Sequence, residues 1–286
     1  MRTARRSGRP GSGYLEDLAF VHDAGFSDFA EEAASFLLER LRPRVPPGGR
    51  VVDLGCGSGT FARRLTDAGY AVAGVDQSSA LLALARRRAP RASFLRASFL
   101  DVELPRCHAV TALGEVLNYQ FDSRASLVAL RRLFRRVHAA LAPGGLFAFD
   151  LAGPGLARRG KEAGFRSGDG WDVLFEKEGR GPWIVRRIVT FRRVGRCWRR
   201  SEEVHRLRLH PAAEVRGALE REGFRVRVLR GYGERRLPRG GVAFLAEKPR
   251  RGGPPEAGGR AAVPEAPRAR PRPRRGTARS SGRGSS

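Results

Sequence analysis

The 286 residues suffice for one sizeable core with appendages, and a formal net charge of +26 is carried almost wholly by arginine, with lysine only at Lys161, Lys177 and Lys248. Near-exclusion of lysine beside abundant Gly, Ala and Pro reads as compositional bias as much as selection for a cationic surface, so charge alone assigns no nucleic-acid partner. No stretch approaches the roughly 18 apolar residues of a membrane span, and Cys56, Cys107 and Cys197 are scattered without C-x-x-C spacing, so a soluble cytoplasmic protein without disulfide framework or metal is expected.

Residues 1–13 hold four Arg and no apolar run, and from 250 onward ten Arg stand against two Glu among Pro, Gly, Ala and Ser. Such segments cannot bury enough apolar surface to offset chain entropy, so disordered basic ends are predicted around a domain spanning 14–249. Residues 14–24 read as a helix closed by Gly25, and a second helix runs from Ser27 as N-cap with Phe29, Ala33, Phe36, Leu37 and Leu41 on one face until Pro43. The run 50–54 is a buried strand broken by glycines, 60–68 a helix closed by Gly69, and 70–76 a second strand. Ser78 caps a helix that Pro90 ends; strands follow at 92–97 and 109–113, a long helix at 123–141, and a fifth strand at 146–151 after the Pro143-Gly144-Gly145 turn. Over 171–210 the pattern changes to long alternating stretches between glycine turns, which predicts antiparallel strands added to the sheet or lying over it. Pro211 opens a helix to Glu222, Gly223 ends it, and FRVRVLR and GVAFLAE complete the sheet. Alternating strand and helix periods of this kind specify an α/β domain.

In VVDLGCGSGTFARRL a strand ends at Asp53, and Gly55, Gly57 and Gly59 alternate before a helix. Glycine there permits positive φ and lets a ligand lie against bare backbone. Asp76 ends the next strand, where a carboxylate can accept two hydrogen bonds from a ribose diol at the crevice of an α/β sheet. Gly57-Ser58-Gly59-Thr60-Phe61-Ala62 also satisfies the dinucleotide fingerprint G-x-G-x-x-A, but Asp53 at the mouth of the loop would repel a pyrophosphate and suits an ammonium. S-adenosylmethionine (SAM) has no phosphate and carries a sulfonium and an ammonium, so it answers that pattern better than NAD.

VVDLGCGSGT resembles motif I of class I SAM-dependent methyltransferases, and AVAGVDQSSALLALAR resembles the acidic-loop motif that follows it. The likeness continues through ASFLDVELP, AVTALGEVLNY, LFRRVHAALAPGGLFAFDL and LEREGFRVRVL, covering roughly residues 14–248. It implies a doubly wound, seven-stranded, mostly parallel sheet with one antiparallel strand, here with an inserted antiparallel β segment at 171–210. It further implies that Asp53, Gly55, Cys56, Gly57 and Gly59 surround the methionine part of SAM, that Asp76 holds the ribose, and that Gln77 packs beside the adenine. Where the family often has an aspartate reaching the adenine amino group, this chain has Ser98, next to Phe99; a hydroxyl can accept the same bond. Leu113, Gly114 and Glu115 would line the far wall.

Methyl transfer from a sulfonium is an in-line displacement at a carbon already electrophilic, so alignment and exclusion of water are the main demands. A general base is needed only for a methyl acceptor that must first lose a proton; His22, Asp23, Tyr119 and Asp150 are candidates, and none is fixed by spacing. No N/D-P-P-Y/F motif follows the fourth strand, which disfavours nucleobase or amide nitrogen as the target of that motif. Arg186, Arg187, Arg192 and Arg193 hint at an anionic small molecule, while Trp171, Trp183 and Trp198 are expected to pack. The expected function is methylation of a small-molecule acceptor; the alternatives are an RNA-directed enzyme guided by its basic ends and an inactive scaffold.

Overall fold

Two helices open the chain in the computed structural model, which describes residues 13–156 and 161–250. Apart from residues 13 and 250, the predicted disordered ends lie outside the described residues. Helix α1 (Glu16–Gly25) is followed by α2 (Asp28–Leu41), whose Ala33, Ala34, Leu37 and Leu41 recur at the 3–4 spacing of one buried face. Ser27 does not cap α2 as predicted. Its own backbone is helical, and its hydroxyl donates back to Asp23 O at 2.7 Å, the local bond that competes with capping.

Strand and helix then alternate: β1 (Arg50–Leu54), α3 (Thr60–Asp67), β2 (Ala71–Asp76), α4 (Ser79–Arg88), β3 (Ser93–Arg96), β4 (Cys107–Ala112), α5 (Leu127–Ala140) and β5 (Leu141–Ala152). Ser78 caps α4 by accepting from Leu81 N at 3.1 Å, as predicted. Helix α5 starts four residues later than expected, at the Ser126 cap that accepts from Ala129 N at 3.2 Å. Next come β6 (Lys161–Gly168), β7 (Trp171–Arg180), β8 (Trp183–Val194) and β9 (Cys197–Arg208), then α6 (Ala212–Arg221), β10 (Arg225–Leu229), β11 (Gly231–Tyr232), β12 (Arg235–Arg236) and β13 (Gly241–Glu247). Strand β6 and the small β11–β12 hairpin were not predicted.

The main sheet runs β10-β13-β5-β4-β1-β2-β3, and all its pairs are parallel except those of β13, which is antiparallel to both β5 and β10. Successive residues of β1 feed opposite cores. Val51 packs with α2 and α3 through Leu37, Phe61 and Leu65, whereas Val52 packs with α5 and α6 through Leu133, Phe134 and Leu219. Each such fully buried Leu or Phe contributes about 1.5–3 kcal/mol of transfer free energy. Strands β6-β7-β8-β9 form a separate antiparallel sheet, tied to α1 by a double ion pair from Arg199 Nε to Asp17 at 2.8 and 2.9 Å.

Because β1 lies between β2 and β4, the chain order reverses there, and the carboxyl ends of these strands open a crevice. Among the described residues no helix is long and apolar enough to cross a membrane, and no group of three His, Cys, Asp or Glu side chains could hold a metal ion.

Candidate active site

The crevice opens into a cavity of about 660 Å³, walled by the β1, β2 and β4 ends, the start of α1, β7, β8 and the β12 turn. The glycine turn forms its floor. Gly55, Gly57 and Gly59 stand at φ +66°, +56° and +80°, a region in which side-chain-bearing residues are strained. Gly55 and Cys56 N–H groups both donate to Val75 O, at 2.7 and 3.1 Å, which hangs the turn on β2. The Arg88 guanidinium binds Ser58 O, Ser58 Oγ and Thr60 Oγ1 from α4, and also the Asp23 carboxylate. One arginine thus fixes the loop, the start of α3 and the end of α1 together.

Asp76 ends β2 at this turn. Its Oδ2 accepts from Gly57 N at 3.0 Å and its Oδ1 from Ser78 N at 2.8 Å, and each oxygen keeps a second lone pair for a ligand hydroxyl. Burial raises its pKa, opposed by the backbone N–H groups of Ser78, Gly57 and Gln77. A Cβ built at Gly57 would meet nothing within 4 Å, so the backbone there borders open space. The donor set suits a diol at Asp76 with an apolar ring over Phe99, beside Gln77 and Ala97 on the same wall.

Asp53 is placed differently from the sequence expectation. It does not line the cavity; it is buried beneath the turn and accepts from Thr111 Oγ1 at 2.7 Å. Desolvation pushes its pKa up to about 7, against the Thr111 bond and with help from the Asp76 charge. Any influence on a ligand acts through the loop above it. Cys56 Sγ likewise turns aside toward Gly57 O, and Gly59, at the start of α3, packs with α4: a Cβ there would stand 2.9 Å from Ala85 Cα. Ser98 is engaged elsewhere, donating to Asp122 Oδ2 at 3.0 Å and accepting from Leu100 N at 3.2 Å. Ser98 does not line the cavity that Phe99 lines.

Leu113, Gly114 and Glu115 form the far wall, held by a clasp. Asp150 Oδ2 accepts from Gly114 N at 2.9 Å and from Tyr232 OH at 3.2 Å, and Oδ1 accepts from Glu115 N at 2.6 Å. Buried to 1% exposure, its carboxyl is pushed by desolvation up to about 7, against the backbone bonds it accepts. These contacts hold Glu115 at φ +60°, and Glu115 Oε2 in turn accepts from Arg186 Nη2 at 2.7 Å. Arg186 Nη1 reaches Tyr119 OH at 3.3 Å, and Tyr119 OH meets Tyr14 OH at 3.0 Å. The N-terminal segment, the β4 loop and the inserted sheet meet in this one network.

Of the four candidate bases, His22, Tyr119 and Asp150 line the cavity and Asp23 does not, being spent on Arg88. Burial lowers His22 to about 4, with His205 adding to the drop and Asp23 opposing it, and raises Tyr119. Of the four arginines singled out on β8, only Arg186 faces the cavity; Arg187 pairs with Glu202, Arg192 with Glu16 and Asp17, and Arg193 with Asp169. The tryptophans line no part of it: Trp171 is buried with Val21 and Phe26, Trp183 lies under Arg208, and Trp198 is exposed. Sequence reasoning missed Tyr14, Phe26, Phe29, Phe175 and Arg236 as wall residues.

A family model described as a methyltransferase domain matches residues 51–145, the stretch that carries the glycine turn, Asp76 and the far wall. Over that stretch the chain is similar to a methyltransferase domain. Its fold is that of the class I SAM-dependent methyltransferases. A SAM-dependent methyltransferase from Clostridium acetobutylicum superposes with a TM-score of 0.69 at 16% identity, covering 81% of this chain and 97% of that one. The sugar N-methyltransferase KedS8 from Streptoalloteichus gives 0.68 at 22% identity, covering 87% and 99%. In sequence, this chain is 34% identical over 128 residues to a dTDP-amino-sugar N,N-dimethyltransferase of Streptomyces fradiae, over 44% of this chain and 50% of the relative. A trans-aconitate 2-methyltransferase of Delftia acidovorans is 36% identical over 41% and 46%. The chain thus spans about half the length of these curated relatives.

Proposed function

We propose that this protein transfers a methyl group from SAM to a small-molecule acceptor, and that residues 14–249 form the catalytic unit. The observation that carries the reading is Asp76, a part-buried carboxylate with lone pairs to spare, beside the bare Gly57 backbone in a cavity at the sheet's reversal point. When bound, SAM supplies an electrophilic methyl carbon. Asp76 accepts the ribose hydroxyls, Phe99 and Gln77 flank the adenine, and Gly55 and Gly57 admit the methionine chain against backbone. Asp150 acts as a positioning residue: both its oxygens accept from loop N–H groups and Oδ2 also from Tyr232 OH, so it sets the Gly114–Glu115 wall. Leu18, Phe26, Phe29, Val173, Phe175 and Ile188 keep water from the reacting centre.

The relatives named for amino sugars and for trans-aconitate support a small acceptor, and the cationic side chains of the cavity wall support one that carries negative charge. Equilibrium dialysis with labelled SAM tests the donor half: saturable binding in the wild type, weakened in Asp76→Ala, is the expected result. Absence of saturable binding overturns the assignment.

A further inference from the structure

The acceptor end of the cavity has a chemistry of its own. Its polar part is Tyr14, Tyr119, Glu115 and Arg186, and its remainder is the apolar chamber of Leu18, Phe26, Phe29, Val173, Phe175 and Ile188. Proton accounting in this network leaves donors unspent. Only one of the two phenol protons can serve the Tyr14–Tyr119 bond at 3.0 Å, and Tyr119 oxygen already receives Arg186 Nη1. Whichever tyrosine donates, the other keeps a proton for a ligand, and Arg186 holds five N–H groups against its two bonds to Tyr119 and Glu115.

Charge accounting points the same way. Four cations line the cavity: Lys177, Arg186, Arg235 and Arg236. Three are matched, by Glu162 at 2.9 Å, Glu115 at 2.7 Å and Glu32 at 2.9 Å. Arg236 makes no ion pair among the described residues. Asp76 and Asp150 also line the cavity, each bonded to backbone N–H groups; Arg236 is left without a carboxylate partner and, with the donor's sulfonium, attracts an anion. No wall group is set up to remove a proton from an incoming nucleophile. His22 is a weak base at about 4, the Asp150 oxygens are bonded to the loop, and desolvation raises both tyrosines.

We propose that the methyl acceptor presents a carboxylate to Tyr14, Tyr119 and Arg186, and that the product is its methyl ester. This rests on the methyl-transfer reading above. A carboxylate oxygen attacks the methyl carbon; the C–O bond forms as the C–S bond breaks, and the electron pair of that bond stays on sulfur. An anion and a sulfonium become a neutral ester and a thioether, and no proton is released. Charge is partly cancelled in the transition state, so an apolar chamber costs it less than it costs the separated ions.

The test uses the intact protein, methyl-labelled SAM and a deproteinised small-molecule extract of the source cells. Methyl esters release labelled methanol under mild alkali; N-methyl, ether and C-methyl products retain the label. Most of the transferred label is expected to become volatile, and Arg186→Gln is expected to lower its yield at least tenfold while SAM affinity changes by less than twofold. Base-stable label overturns the carboxylate assignment but leaves methyl transfer standing; loss of SAM binding in the wild type overturns both, and no transfer with SAM bound overturns the carboxylate assignment. A readout without turnover compares thermal shifts of the S-adenosylhomocysteine complex with phenylacetate and with phenethylamine at equal concentration. A larger shift with phenylacetate, lost in Arg186→Gln, is expected, and an equal or larger shift with the amine overturns the proposal.

Discussion

The donor and acceptor ends of the cavity are built by opposite means. The proposed donor end is made of residues close in sequence, a glycine turn and the next strand's terminal carboxylate, and offers a ligand mostly backbone. The acceptor end is made of side chains from four distant places: Tyr14 before α1, Glu115 and Tyr119 after β4, Arg186 on β8 and Arg236 on β12. A backbone-built site needs a short, nearly invariant spacing, so it can be read from one chain. A side-chain-built site needs only that the fold converge, so its spacing carries no signal.

Substitutions can break this contrast. The largest effect is expected from Gly59→Val, which adds left-handed strain to a clash at 2.9 Å with Ala85 Cα and should lower stability by roughly 3 kcal/mol in urea melts. A loss below about 1 kcal/mol would show that α3 and α4 can move apart. Asp76→Ala follows, weakening SAM binding by about 1–3 kcal/mol, since it leaves Gly57 N–H, Ser78 N–H and the ribose unpaired. Unchanged affinity by calorimetry would remove the ribose assignment and, with it, the backbone-site half of the comparison.

Asp150→Asn should cost about 1–2 kcal/mol of SAM binding, because an amide can no longer accept from both loop N–H groups. If Asp150 were a base, turnover would collapse with affinity intact, so separate measurement of kcat and SAM affinity decides. His22→Phe gives a pH signature. The folded pKa of about 4 lies below the free value of 6.5, so the unfolded chain binds the extra proton between those values and the histidine costs stability at low pH. The variant should therefore gain about 1–2 kcal/mol on the wild type near pH 4.5, with the gap closing by pH 7. A pH-independent difference would contradict a half-buried imidazole held neutral. Smallest of all, Gly57→Ala has open space around it and should cost about 1 kcal/mol of backbone strain, with a further loss only when SAM is present.

Legibility followed the same division. The strands of the main sheet, the Ser78 cap, Asp76 and the 113–115 wall could be read because periodicity, capping and glycine spacing are local. Strand β6 escaped because KEAGFRSG interrupts alternation with two glycines, and β11 and β12 because two residues carry no period. Nothing local reveals that Asp122 stands opposite Ser98 and takes its hydroxyl. Arg186 could not be separated from Arg187 until the pairing fixed which parity of β8 faces inward, with Arg186 opposite Lys177 and His205.

That parity has a consequence for how such a protein can change its diet. Val173, Phe175 and Lys177 on β7 and Arg186 and Ile188 on β8 can be exchanged one at a time for larger, smaller or oppositely charged residues. The ladder between the strands is backbone to backbone, and every second residue points the other way. A new acceptor can then be accommodated on the roof without rewriting a single residue of the floor proposed for the donor.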